Sequence, residues 1–180
     1  MLHTRNVQNK ALLREGILFL GQWGVLAGIL FLVLQGIGAE HALQQMETVD
    51  VQNVLNMLGT FTTSENSTQF WAQGKLIEIS ALCSGLLEMV LLASVILITP
   101  NEGWKKKIIG AAVGVGLLYA FNILRMIISI QQLVHTPYSF AEFTHDILFR
   151  IILIAGFAFL YWAWVNWTYV HQKLIREGLI

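Results

Sequence analysis

The sequence predicts an all-α integral membrane protein with four transmembrane helices, both termini cytoplasmic, and an outer loop containing a short amphipathic helix. Three observations predict it. Of 180 residues, 56% are hydrophobic and 12% charged, about half the charged share of a soluble domain. The apolar residues are blocked, and four blocks reach the roughly 20 residues that cross a hydrocarbon core. The charges are sorted between the connecting segments by sign.

The four expected spans are Ile17–Ile37, Ile79–Thr99, Ile108–Ile130 and Ile147–Val170. The first is read as a span and not a leader, because it is too long and lacks a small-residue cleavage site. Together they make residues 1–180 a single membrane domain, with the candidate motifs between residues 79 and 150. Arg5, Lys10 and Arg14 precede span one, Lys105, Lys106 and Lys107 separate spans two and three, and Lys173 and Arg176 follow span four. Positive loops resist translocation, so these segments are cytoplasmic. The opposite side carries Glu40, Glu47, Asp50, Glu65, Glu78, Glu142 and Asp146, with Lys75 as its basic residue.

The outer segment Gly38–Glu78 is too polar to span. Val51, Val54, Leu55 and Leu58 recur at helical spacing and predict its amphipathic helix. Thr62–Thr68 reads as turn-like, Phe70 and Trp71 as an interfacial anchor, and Asn66-Ser67-Thr68 as a glycosylation acceptor pattern on the outer side. Gly24 and Gly28, like Gly110 and Gly114, stand four apart, a spacing that lets helix backbones approach. Trp162, Trp164, Trp167 and Tyr169 mark the inner end of span four.

Chemistry concentrates at the outer ends of three spans. Cys83 is the sole cysteine, so an internal disulfide is excluded. It lies four residues into span two, roughly 6 Å at 1.5 Å per residue. Arg125 lies five residues from the end of span three, roughly 7–8 Å down. His145 precedes span four by two residues. The three are expected at one depth. Taken singly, a buried cysteine is often an apolar filler. An arginine inside a span is different, because it costs about 2.5–3.5 kcal/mol even on a lenient insertion scale. Asn122, one turn before Arg125, is expected to orient it. Glu88 and Arg150 form a second, deeper layer, expected to pair as a structural buttress.

A thiol, an imidazole and a guanidinium are the parts of a nucleophilic transfer site. Cys83 attacks an acyl carbon, His145 moves the proton, and Arg125 faces the oxyanion. Asp146 is placed to orient the imidazole, and Gly85 to admit a close backbone. Ser84 is an alternative nucleophile without a Gly-x-Ser-x-Gly elbow around it. No phosphate loop, dinucleotide fingerprint or paired-histidine zinc motif is present, so no cofactor, metal or nucleic acid is expected.

The ordered set Leu82-Cys83-Ser84-Gly85, Asn122-Ile123-Leu124-Arg125-Met126 and Phe143-Thr144-His145-Asp146 resembles the exosortase/archaeosortase family of membrane cysteine transpeptidases. The resemblance covers roughly Ile79–Arg150, and this chain is compact beside family members with further helices. It implies a peptidase on the outer face of the cell membrane. Its substrates would be exported proteins ending in a short motif, a transmembrane helix and a basic tail. The new C-terminus would be released or passed to a lipid or other anchor. Cys83 would be the nucleophile, Arg125 the transition-state stabiliser and His145 the acid/base. Two other readings stand beside it: a non-enzymatic membrane assembly or export factor, and a purely hydrolytic intramembrane protease.

Overall fold

The structure is a computed structural model that describes residues 2–100, 102–135 and 149–176, with side chains over 13–100, 102–134 and 151–167. Its α-helices among these residues are α1 (Leu2–Gly36), α2 (Ala39–Met57), α3 (Leu86–Ile98), α4 (Trp104–His135) and α5 (Phe149–Arg176). Two helices, over Leu13–Gly36 and Trp104–Val134, are long and apolar enough to cross a membrane. Leu86–Ile98 and Ile151–Trp167 are shorter apolar helical stretches. The 13 residues of α3 rise only about 20 Å.

The predicted all-α class needs correcting. Between α2 and α3 the chain forms a three-stranded antiparallel sheet, β1 (Thr62–Ser64), β2 (Gln69–Ala72) and β3 (Lys75–Glu78), in the order β1-β2-β3. The β2–β3 hairpin pairs Ala72 with Lys75 across the two-residue loop Gln73-Gly74. Both loop residues have positive φ, 47° and 79°, the combination that matches the natural twist of paired strands. The β1–β2 turn is closed by the Asn66 side chain, whose Oδ1 accepts from the Thr68 amide at 2.9 Å. The segment read as turn-like is therefore one strand plus a turn.

Side-chain alternation explains where the sheet sits. Phe70, Ala72 and Ile77 face inward with Ile79, against Val51 and Leu55 of α2 and Met126, Ile127 and Ile130 of α4. Phe70 is fully buried, so it is a core residue and not the interfacial anchor expected. Its neighbour Trp71 points the other way and donates to Glu65 at 2.8 Å. The α2 helix is longer than the short helix predicted, and its buried stripe is Glu47, Thr48, Val51 and Leu55. The spacing of that stripe is helical, but its first member is a carboxylate.

Beneath this cap, α3 packs on α1, α4 and α5. Met89, Leu92, Val95 and Ile96 of α3 meet Ala111 and Leu118 of α4, with Phe19, Trp23, Phe157 and Leu160 half-buried around them. Trp23 ties α1 to α3 by donating to Leu91 O at 3.1 Å and to Ser94 Oγ at 3.0 Å. The glycine seam expected in α4 is present. A Cβ on Gly110 would lie 2.1 Å from Trp164 Nε1, and one on Gly114 would lie 2.9 Å from Leu92 Cδ2. The seam expected at Gly24 and Gly28 is not, since both face open space. On α1 it is Ala27 that is buried, against Leu86 and Val90 of α3.

This contrast has a measurable consequence. Gly110→Ala forces the Trp164 ring to shift and is expected to cost about 1–3 kcal/mol, the usual range for overpacking. Gly24→Ala meets nothing and is expected to be neutral or mildly stabilising, because alanine favours the helix. Unfolding of both variants in mixed detergent–SDS micelles checks the ordering.

Candidate functional site

Span two was expected to be helical from Ile79, with Cys83 one turn inside. Instead Ala81–Cys83 is a single 3-10 turn, and α3 starts only at Leu86. The local sequence accounts for this. Ser84 Oγ donates to Ala81 O at 2.9 Å, an alternative to helical bonding that serine side chains offer. Gly85 then takes φ 66°, a left-handed conformation that breaks any continuous helix. The result lifts Cys83 out of the helix into a turn, where its carbonyl oxygen accepts from side chains and not from a following turn of helix.

Two side chains of α4 meet that oxygen. Asn122 Nδ2 and Arg125 Nη2 each donate to Cys83 O at 2.8 Å. Asn122 is 1% exposed and Arg125 5%. The two lie three residues apart, on one face of α4. Four covalent bonds separate Cys83 Sγ from its own carbonyl oxygen, so the sulfur lies within about 8 Å of that guanidinium nitrogen. Cys83 itself is half-buried, and Ser80 Oγ lies 3.4 Å from its sulfur.

Gly85 fits the site for two reasons. Beyond its positive φ, a Cβ there would stand 3.3 Å from Asn122 Cγ, tight enough to push the carboxamide away. Ser84 is fully buried beside it, its hydroxyl turned to Ala81 and to the Leu86 amide. That position suits a residue that shapes the turn.

The structure adds Glu47, which the sequence reading placed only among the acidic residues of the outer side. Its side chain is 0% exposed, and its Oε1 accepts from Asn122 Nδ2 at 2.8 Å. The cap thus reaches down to the same asparagine that holds Cys83. Burial pushes the Glu47 carboxyl up to about 8; the Asn122 hydrogen bond and Arg125 oppose the rise, and Cys83 and Asp50 add to it. One signal in the sequence pointed to it: Glu47, Val51 and Leu55 recur at fourfold spacing, so the carboxylate sits on the apolar face of its helix.

His145 and Asp146 lie outside the described residues. So does the Arg150 side chain, and with it the expected pairing to Glu88, which is half-buried in the first turn of α3. Among the described residues no cluster of three or more His, Cys, Asp or Glu is placed to hold a metal ion. An apolar groove of about 490 Å³ between α4 and α5, lined by Gly110, Gly114 and Trp164 among others, takes in none of the site residues. No family profile, curated protein or solved structure gives a significant match to the chain.

The Glu47 carboxyl yields a signed expectation for stability. Its ordinary value is 4.5 and its folded value about 8, so the native state holds an extra proton across that window. Stability from this group is complete below the lower value and is lost as pH rises toward the upper one. The thermal midpoint in detergent is expected to fall between pH 5 and pH 8.5 for the wild type, and to fall less for Glu47→Gln. A midpoint set parallel in the two proteins would count against the assignment.

Proposed function

We propose that the chain is a multi-pass membrane cysteine peptidase or transpeptidase, of the kind its motifs resemble in the exosortase/archaeosortase family. The observation that carries this reading is the meeting of two motifs 39 residues apart. The Asn-x-x-Arg pair of α4 holds the backbone of the Cys-Ser-Gly turn, 2.8 Å from each donor. An arginine buried to that degree beside a lone cysteine is expensive to keep in an apolar setting. A nucleophilic site gives it a use.

The topology follows the charges. All four hydrophobic stretches cross the cell membrane, with the Lys105–Lys107 connection cytoplasmic and the α2–sheet cap outside. Because α3 rises about 20 Å of a roughly 30 Å hydrocarbon core, the Cys83 turn completes the second crossing just below the cap. The substrate is an exported protein with a C-terminal signal of a short motif, a hydrophobic helix and a basic tail. Its helix lies in the bilayer and its motif reaches the turn from the outer face.

The chemistry balances without a cofactor. The Cys83 thiol gives its proton to His145, and the thiolate adds to the carbonyl carbon of the scissile peptide. The new oxyanion faces the Arg125 guanidinium. The C–N bond breaks as His145 returns the proton to the leaving amine. A thioester on Cys83 remains. Water resolves it to a free acid, or an amine acceptor takes the acyl group and regenerates the thiol.

Conversion of a precursor encoded beside this chain, carrying such a signal, tests the proposal in cells with expression checked. Cys83→Ala is expected to abolish conversion, and His145→Ala to lower it about 100-fold or more. Arg125→Lys is expected to lose about tenfold or more, since an ammonium lacks the planar fork. Ser84→Ala is expected to be much milder, because its hydroxyl serves the turn. Normal conversion by Cys83→Ala would favour the non-enzymatic assembly-factor reading.

A further inference from the structure

Asn122 and Glu47 meet with one proton unaccounted for. Asn122 Nδ2 has two hydrogens, and both are committed, to Glu47 Oε1 and to Cys83 O at 2.8 Å each. Turning the amide over would aim Oδ1 at two acceptors, so the hydrogen-bond chemistry selects the orientation seen. In it, Asn122 Oδ1 and Glu47 Oε2 are both buried and lack a donor. An ionised carboxyl only accepts, whereas a protonated one carries an O–H. A proton on Oε2 would give that buried oxygen a hydrogen to donate, where an ionised carboxyl only adds a further acceptor beside the unpartnered Asn122 Oδ1.

We infer that Glu47 is a positioning residue that works as a neutral acid: it grips the Asn122 carboxamide, which holds the Cys83 turn, and it leaves the charge of Arg125 to the thiol. This rests on the reading of Cys83 and Arg125 as the reacting pair. An ionised Glu47 would place a negative charge against both. The guanidinium would then be offset by its own neighbour, and the thiolate would meet repulsion. Burial keeps the carboxyl neutral up to about 8, so the site is in its working form at neutral pH.

The charges around Glu47 are identifiable. Arg125 comes from α4, Cys83 from the turn and Asp50 from the next turn of α2. Asp50 accepts from Tyr119 of α4 at 2.6 Å. Toward the sheet, Glu65 accepts from Trp71 and Lys75 donates to Leu133 O. Toward α1, Glu40 accepts from Gln35. Of these, Arg125 is the charge whose effect Glu47 ionisation would cancel.

The test uses Cys83 as its own reporter, since it is the only thiol in the chain. The rate of alkylation by iodoacetamide is measured from pH 6 to pH 10 on the full chain in detergent, for wild type and Glu47→Gln, with Cys83→Ala as blank. Glutamine keeps one acceptor and one donor and cannot ionise. At pH 7 the two proteins are expected to react within about threefold of each other, and near pH 8.5 the wild type is expected to fall behind by more than about threefold, the gap closing toward pH 10 as both thiols ionise. Superimposed profiles to pH 10 would overturn the inference. So would a Glu47→Gln protein slower by more than about threefold at pH 7, which would mean that Glu47 acts as an anion. If Glu47→Gln does not accumulate, Glu47→Leu, which also cannot ionise, is compared with the wild type near pH 8.5 by the same criterion. The reading beneath fails separately: precursor conversion that survives Cys83→Ala removes the enzyme and leaves the alkylation profile to decide the role of Glu47.

Discussion

The carbonyl oxygen of Cys83 accepts from Asn122 and from Arg125, and the α2 cap, the turn and the adjoining part of α4 are arranged around that contact. The guanidinium needs an acceptor, because a charged side chain in an apolar bundle is costly without one. A helical Cys83 would have its carbonyl occupied by the backbone amide four residues on. Ser84 and the left-handed Gly85 prevent this. The turn is thus a precondition for burying the arginine, and the arginine in turn pins the turn. Closing this contact joins the N-terminal end of α3 to the C-terminal half of α4, and the glycine seam near Trp164 joins α4 to α5 further along.

The cap makes sense in the same terms. A turn that leaves the helix exposes backbone, and α2 packs against one side of this one. Val51 and Leu55 pack on the sheet and on α4. Glu47, one turn earlier, reaches Asn122 in place of an apolar side chain. The polar contacts run as one line from α2 through α4 to the turn: Glu47, Asn122, Cys83, Arg125. Removing a member in the middle leaves buried donors or acceptors unmet on both sides, so the line is cooperative in the ordinary hydrogen-bonding sense.

Much of this was legible in the sequence, and the failures have physical reasons. Hydropathy located α1 and α4 well, because long apolar blocks carry their own signal. The link between the Cys-Ser-Gly and Asn-x-x-Arg motifs was legible from depth alone, although the depth of Cys83 rested on a helix that the structure does not contain there. Periodicity cannot see a three-residue turn against an apolar background. The sheet was missed because its strands are three and four residues long, and their alternation hides among polar neighbours. Gln73-Gly74 was the available hairpin signal. Glu47 was missed because hydropathy counts a carboxylate as loop polarity, whereas its place in the stripe with Val51 and Leu55 makes it a core residue.

The central claim is that Cys83 forms a covalent bond to the substrate carbonyl. It is tested most directly by quenching the full chain with its precursor in acid and measuring the intact mass. The account predicts an adduct equal to the N-terminal product, joined as a thioester, released by hydroxylamine and absent from Cys83→Ala. Processing that proceeds with no such adduct in the wild type, or an adduct that persists in Cys83→Ala, would contradict it.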